Sequence, residues 1–518
     1  MSIKGMVRGF GVEHIDTANN GDDAINKCNS ESYDIVLCDF NMGDGKNGQQ
    51  VLEDLRQSKR LKTSSIFILI TAETSKDIVM GAREYQPDCY IAKPITKASL
   101  QKRLDGLIAQ REDLLPITNE IDLENLPKAI SLCLLELKKG GRYQGWCFKT
   151  LAGLYYDTGD YVHAQKIYED ILGRREICWA RIGLGKVQLG QQNYDAAIAT
   201  LQKVIEENPE QMEAYDYLAT ALEKKGRKKE AQSTLQKAVN LSPRTIPRQQ
   251  HLGELAQINQ DIEAAAQAWR ATVKFGTNSV YEKPDNYLNL SRCLSDLSEG
   301  DLTEKGKSYA KEALQTLGKA TKRFEDNKEI QLNALMIETR VHAGQKNEAA
   351  SKKSMARVES LVKQNELGIE AGLEMAHTLY AMNESERAEK LLHSLADKYG
   401  SDQGVMNRIE ELLDEPVNLQ NKIKARELNR KGISLFEQGK LGDAVTTFKE
   451  ALEVTPRHPA LNLNLVQVLM KAMDTQGMNF EWLRMAKTCL DNVAHIPPQH
   501  RQFKRYQHLV SKLSQIKS

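Results

Sequence analysis

This chain has no apolar stretch of membrane-spanning length, and its opening, MSIKGMVRGFGV, has no apolar core of signal-peptide length. Its eight cysteines, at positions 28, 38, 89, 133, 147, 178, 293 and 489, form no CxxC, and none pairs with histidine at metal-ligand spacing. That excludes a zinc ribbon or a disulfide framework and leads to the expectation of reduced core thiols in a cytoplasmic protein. Charge of one sign is lacking too. A net charge of +1 leaves no electrostatic footprint for nucleic acid or an anionic membrane. The densest basic cluster near the start, Lys59–Arg60–Leu61–Lys62, is read as a solvated helix end. No helix-turn-helix, zinc-finger or nucleotide-cyclase signature is present, so direct transcription control and second-messenger synthesis are not expected.

What is present is a foldable mixture, 41% hydrophobic and 27% charged with the signs interspersed, long enough at 518 residues for about two to four domains. The pattern falls into two territories. Residues 1–109 alternate short apolar strands with amphipathic helices. Strands are expected at His14–Thr17, Asp34–Phe40, Ile66–Ile70 and Cys89–Ala92. Helices are expected at Asp23–Cys28, Gly48–Ser58, Lys76–Glu84 and Lys97–Ala109. This alternation predicts an α/β fold, a parallel sheet covered on both faces. An acidic segment, 110–127, carrying Pro116 and Pro127, is read as a linker that prolongs the last helix by a turn or two.

From residue 128 the pattern is helical and repetitive. Ala197 and Ala231 lie 34 residues apart, as do Pro209 and Pro243, and Ala265 continues the series. Ala164 falls one residue short of the period. Gly432, Ala444, Phe448, Ala451 and Pro456 give the clearest single copy. Small residues at the eighth and twentieth positions let two helices approach closely. A large apolar residue at the twenty-fourth fills the groove between neighbouring units, and proline stops the second helix. No copy can bury its apolar face alone, so copies must stack. The stretch resembles the tetratricopeptide repeat (TPR) family, which implies an all-α superhelical solenoid of about nine units. Repeats between 284 and 400 are degenerate, and the helices from Trp482 to Ile516 are expected to cap the array.

In the first territory, the strand YDIVLCDF ends at Asp39, IFILITA at Thr71–Ala72, and CYIAKP at Lys93–Pro94. Parallel strands thus deliver a carboxylate, a hydroxyl and an ammonium to one edge, where open α/β sheets place their chemistry. A carboxylate there can attack phosphorus, and the ammonium and hydroxyl can hold phosphoryl oxygens. This constellation resembles the receiver domain of bacterial two-component response regulators (the CheY-like, flavodoxin-like fold). The resemblance implies that Asp39 is the phosphoacceptor, Thr71 the switch hydroxyl with Ala72 the small residue beside it, and Lys93 the phosphate-pairing lysine. It makes Tyr90 the switch aromatic. It also implies a Mg2+ site using Asp39 and the backbone carbonyl of Asn41, and makes Gly48 the glycine that opens the third helix of the family's fold. Gly43 stands where the family prefers proline, and the spacing from Asp39 is about one residue longer than usual.

The family's first strand, with the adjacent acidic pair that completes the metal site, is not in this sequence. Ile3, Met6, Val7 and Phe10 read as the back of the first helix. Asp22–Asp23 follows TANNG, and Asp22 is expected to be an N-cap rather than a metal ligand. Either the true start lies upstream of Met1, or the domain is a remnant without phosphorylation; retention of Asp39, Thr71, Lys93 and Tyr90 together favours the former. The expected function is that of a response regulator. Phosphoryl transfer to Asp39 from a histidine kinase or histidine phosphotransfer domain shifts Thr71 and Tyr90 inward and controls protein or peptide binding by the array. The alternatives are a phosphorylation-independent scaffold that sequesters signalling partners, and an array that steers hydrolysis of another regulator's phosphoaspartate. The resemblance implies no enzyme in the ordinary sense, no nucleic-acid partner, and leaves a homodimer open.

Overall fold

A computed structural model describes residues 2–43, 45–72, 84–362, 367–413, 419–456, 458–494, 496 and 502–514; the side chains of 403, 407, 411, 419–423, 426 and 454 are also outside the description. The chain divides into two compact units, Met1–Asn286 and Tyr287–Ser518.

The first unit opens with α1 (Ile3–Arg8), α2 (Gly21–Ser30), β1 (Ile35–Asp39), α3 (Gly48–Gln57), β2 (Ile66–Thr71) and β3 (Cys89–Ala92). The strands form a parallel sheet in the order β1-β2-β3, with Asp39 level with Ile70 and Thr71 level with Ala92. Every residue of β2 is buried, which is why that central strand is apolar throughout. Alternate residues serve opposite faces. Cys38, Phe40, Phe67 and Leu69 pack with Ile25 of α2 and with Val51, Leu52 and Leu55 of α3. Ile66, Ile68, Ile70 and Ile91 pack with Met6 of α1 and with Leu100 and Leu104. Ile3, Val7 and Phe10 complete the α1 contact, so its helical spacing is realised. Each such side chain, fully buried, contributes about 1.5–3 kcal/mol.

The strand expected at His14–Thr17 does not form; residues 12–18 run as irregular, largely exposed chain. Among the described residues no strand lies beside β1 on that side, and an unpaired extended segment has no ladder to join. Tyr33 instead donates from its hydroxyl to Asp16 at 2.9 Å. The cap of α2 is Asn20, not Asp22. Its side chain accepts from the Asp23 amide at 2.9 Å, and Asp22 and Asp23 occupy the first turn, where they favour the helix dipole. The helix expected at Lys76–Glu84 lies outside the described residues except for Glu84.

The helix from Lys97 continues to Asp122, so the boundary drawn at residue 109 and most of the expected linker fall inside a single helix. Its end is fastened to the sheet domain: Asp122 accepts from the Thr63 amide at 2.6 Å and from the Ser64 hydroxyl at 2.8 Å. Its Leu114 and Ile117 share one apolar cluster with Ala129, Cys133, Cys147 and Leu151 of the next helices. Helical hairpins then follow to the end of the described chain. The small residues sit at close helix approaches as their spacing requires, but the large residue expected in the groove between neighbouring units meets the small one of its own hairpin, where two helices of one unit pack. A Cβ on Gly185, Gly253 or Gly432 would lie 2.7 Å from Leu201, Trp269 or Phe448 respectively, each sixteen residues on. The small residue on the first helix of a hairpin is therefore filled by the large one on the second.

In the second unit, helices Pro284–Ser298, Lys328–Gly344 and Ile369–Ala381 share a buried charge cluster. Glu374, 5% exposed, accepts from Arg292 Nε at 2.7 Å and Arg340 Nη1 at 2.9 Å, and Arg340 also reaches Asp296 at 2.5 Å. Burial opposes the Glu374 charge, but the two arginines hold its pKa down to about 2. Burial lowers neighbouring His377 to about 4. The Phe503–Ser514 helix packs Leu509 and Leu513 into the cluster formed with Leu461, Leu465 and Leu469.

Candidate phosphoacceptor site

The carboxyl edge of the sheet holds the site. Parallel pairing continues one residue beyond the strands: Phe40 donates its amide to the Ile70 carbonyl at 2.6 Å, and Lys93 to the Thr71 carbonyl at 2.7 Å. Asp39, Thr71 and Lys93 are therefore brought to one edge from three strand ends. Lys93 Nζ is ion-paired with Asp39 Oδ2, and the Asn41 amide donates to Asp39 Oδ1 at 3.3 Å. Both charged side chains stay reachable from solvent, Asp39 35% and Lys93 39% exposed, whereas Thr71 is buried. The peptide between Lys93 and Pro94 is cis.

Tyr90 sits level with Leu69 within β3, half-buried against the cluster that includes Cys38, Phe40 and Tyr85. Ala72 follows β2 directly and is exposed. Cys38, next to Asp39, is no rival nucleophile, because burial pushes its thiol up to about 12.

Gly48 explains how α3 reaches this edge. Its amide donates to the Phe40 carbonyl at 2.9 Å, and a Cβ there would lie 2.3 Å from the Asp39 carbonyl oxygen. Only glycine lets the helix start so close to Asp39. The loop between β1 and α3 is anchored by Lys46, which pairs with Asp54 at 2.7 Å and Asp22 at 3.5 Å. Asp22 thus faces Lys46.

The fit of a divalent cation is poor. Among the described residues no group of three His, Cys, Asp or Glu side chains converges on a metal position. Asp39 supplies one carboxylate, already engaged by Lys93, and the Asn41 carbonyl would add one weak ligand. That set falls short of a protein-held Mg2+ site.

A family model for the response regulator receiver domain matches residues 1–105. Chemotaxis protein CheY-3 of Vibrio cholerae is 30% identical over 105 residues, which cover 79% of that protein and 20% of this chain. The chain belongs to the receiver family. CheY of Pseudomonas aeruginosa is 28% identical over 105 residues, 83% of its length and 20% of this chain. Models for the tetratricopeptide repeat match residues 188–258 and 429–477.

Solved structures similar to the helical part include the C-terminal part of a TPR repeat-containing protein from Cytophaga hutchinsonii. It is 15% identical with a TM-score of 0.37, covering 49% of this chain and 97% of that one. A TPR protein from Parabacteroides merdae is 14% identical with a TM-score of 0.33, covering 51% and 96%. The protein is thus a receiver with a TPR array, response-regulator-like in composition. Both folds are typically non-catalytic. Receivers interact with kinases or phosphotransfer proteins and generally hold Mg2+ in an acidic pocket, while TPR arrays bind peptides or proteins. No helix of the described residues is long and apolar enough to cross a membrane.

The sequence pointed to every member of the Asp39 edge. It gave no sign of the residues through which the receiver touches the repeats, Gln50, Glu84 and Arg248, because their partners lie 161 to 227 positions away.

Proposed function

We propose that this protein is a cytoplasmic response regulator in which Asp39 accepts a phosphoryl group and the TPR array delivers the output to a protein or peptide partner. The observation that carries the reading is the Asp39–Lys93 ion pair beside Thr71 at the sheet's carboxyl edge. A carboxylate oxygen of Asp39 attacks the phosphorus of a phosphohistidine on a kinase or phosphotransfer domain. The P–N bond breaks as the new P–O bond forms, and the histidine nitrogen takes up a proton. Lys93, already within reach of the carboxylate, turns its ammonium to the phosphoryl oxygens, and the Thr71 hydroxyl donates to them. Mg2+, with Asp39 and the Asn41 carbonyl, belongs to this reading only where a further acidic pair completes its ligands; it would neutralise charge on the transferring group.

The sparse metal donor set supports a second reading, a phosphorylation-independent receiver that docks partners while the array scaffolds them. Incubation with radiolabelled acetyl phosphate, with and without Mg2+, separates the two. Acid-stable, base-labile label on the wild type and none on Asp39→Asn is the expected result. Unlabelled wild type would overturn phosphotransfer and leave the scaffold.

A further inference from the structure

In the regular hairpins the second helix carries a buried triplet spaced by four and three residues, Ala197–Leu201–Val204 and Ala231–Leu235–Ala238. The triplet begins at the fourth residue of the helix. In the second unit, Ala313–Leu317–Ala320 repeats it on helix Glu304–Arg323, but begins at the tenth residue. That helix is 20 residues long against 14, and the additional turns lie at its start. The helix that follows, Lys328–Gly344, has 17 residues where regular first helices have 13. Its far end is fastened to the turn before the long helix. The Gly300 amide donates to the Gly344 carbonyl at 3.0 Å, and Gln345 Nε2 donates to the Asp301 carbonyl at 3.0 Å and the Ser298 carbonyl at 2.5 Å.

Between these overhangs lies a groove of about 500 Å3. Its floor is apolar: Ala310 and Val341 are buried and Leu314 is half-buried. Lys307, Lys311 and His342 stand around it, the other lining residues are amides, and none is acidic. Lys307 meets Glu304 at 3.0 Å, but both side chains are more than half exposed, so water screens the pair and a ligand can replace Glu304. Lys311 pairs with no carboxylate among the described residues.

The positive charge is local. Helix Glu304–Arg323 carries six Lys or Arg and two Glu, a net of +4, against +1 for the whole chain. Helical spacing puts Lys307, Lys311 and Lys322 on one face with Leu314, whereas Lys305 and Lys319 lie off it. Exposed ion pairs are weak, so the lysines select the sign of a ligand while the apolar floor holds it. Lys307 and Lys311 are one turn apart. They match two carboxylates one turn apart on a helical peptide, with an apolar side chain directed to the floor. No aromatic ring lines the groove for a base to stack on, which favours a peptide over a nucleic acid.

We propose that the groove between the start of helix Glu304–Arg323 and the end of helix Lys328–Gly344 docks an acidic amphipathic segment of a partner protein, its apolar side chain seated on Leu314 and Val341 and its carboxylates on Lys307 and Lys311. The inference rests on the reading of the array as the part that meets a partner, and not on Asp39. It places the contact where two helices outgrow the repeat, outside residues 188–258 and 429–477 that match the repeat models.

The test uses the full chain and short fluorescent helical peptides, with binding read by anisotropy. The probe peptide carries one leucine with a glutamate a turn away on either side. A second peptide has lysine for each glutamate, and a third has alanine for the leucine. Wild type is expected to bind the probe, and Lys311→Glu to bind it about tenfold more weakly. Lys319→Glu makes the same change of charge off the groove's face and is expected to stay within about twofold of wild type. Both lysines are exposed, so both variants are expected to keep the wild-type helix content. The alanine peptide is expected to bind wild type about tenfold more weakly than the probe. Bound probe is expected to slow hydrogen exchange in residues 304–323. Equal binding by Lys311→Glu and wild type, or slowed exchange only in other repeats, would overturn the groove and leave the array as the binding part. Binding of the lysine peptide alone, or of single-stranded DNA in place of the probe, would overturn the acidic partner. No peptide bound anywhere on the chain would overturn the groove and count against the array as the binding part as well.

Discussion

The Asp39–Lys93 pair and the Glu374–Arg340–Arg292 cluster are both carboxylates held by cations, in the first and second unit respectively. They differ in access. Asp39 and Lys93 remain more than a third exposed, so water screens the pair and either partner can be exchanged for a ligand at little cost. Glu374 is 5% and Arg340 11% exposed, and there the pairing cannot be loosened without stranding charge. The same pairing leaves an accessible carboxylate in one place and forms a buried rivet in the other, and burial decides which. The Glu84–Arg248–Asp216 triad lies between them. Its cation is buried, but its two carboxylates are more accessible.

Four substitutions test this ordering by the size of their effects. Glu374→Ala leaves Arg292 and Arg340 facing each other without their shared carboxylate. It is expected to destabilise the second unit by about 3–5 kcal/mol, read as earlier loss of exchange protection in residues 328–344 with urea. A residual effect near that of a surface pair would break the comparison.

Glu53 tests burial without a cation. Burial pushes its carboxyl up to about 7, against the ordinary 4.5, despite a hydrogen bond from Gln49. The folded state therefore holds a proton that the unfolded chain has lost between those values. The stability that this provides is fully present below about pH 4.5 and disappears as pH rises through about 7. Glu53→Gln should stabilise the first unit by about 2–3 kcal/mol at pH 8 and by little at pH 4.5, so pH-dependent urea melts of the two proteins should converge on acidification.

Gly432→Ala probes packing alone. The added methyl meets the Phe448 ring at 2.7 Å, and a loss of about 1–3 kcal/mol in thermal or urea melts is expected. At the small end, Asp39→Asn should change stability by less than about 1 kcal/mol while abolishing acetyl phosphate labelling. A large loss of stability there would make Asp39 structural and remove its distinction from Glu374.

The legibility of the sequence followed from how local each feature is. Strand ends at Asp39, Thr71 and Lys93 were readable because each strand is a short apolar run that stops at a polar residue, and parallel strands align such stops. Gly432 and Phe448 were readable as repeat positions because the 34-residue period marks them, but that the ring fills the space over the glycine of its own hairpin, rather than the groove between units, was not. His14–Thr17 misled because a strand pattern needs a neighbour, and none stands beside β1 among the described residues. Asp22 misled because Asn20, two residues earlier, is an equally good cap and reaches the Asp23 amide first. The length of the Lys97–Asp122 helix was hidden by Pro116, which the helix accommodates in its interior while Leu114 and Ile117 are buried on either side of it.

By itself, the sequence determined a receiver sheet followed by stacked repeats, and which side chains stand at the sheet's carboxyl edge. Periodicities of two, 3.6 and 34 residues are local and repeat often enough to be counted. Only the tertiary structure decided which carboxylates are buried, which cation each one meets, and that Glu84 closes on an arginine 164 residues away. Those are matters of dielectric and distance, and no spacing along the chain encodes them.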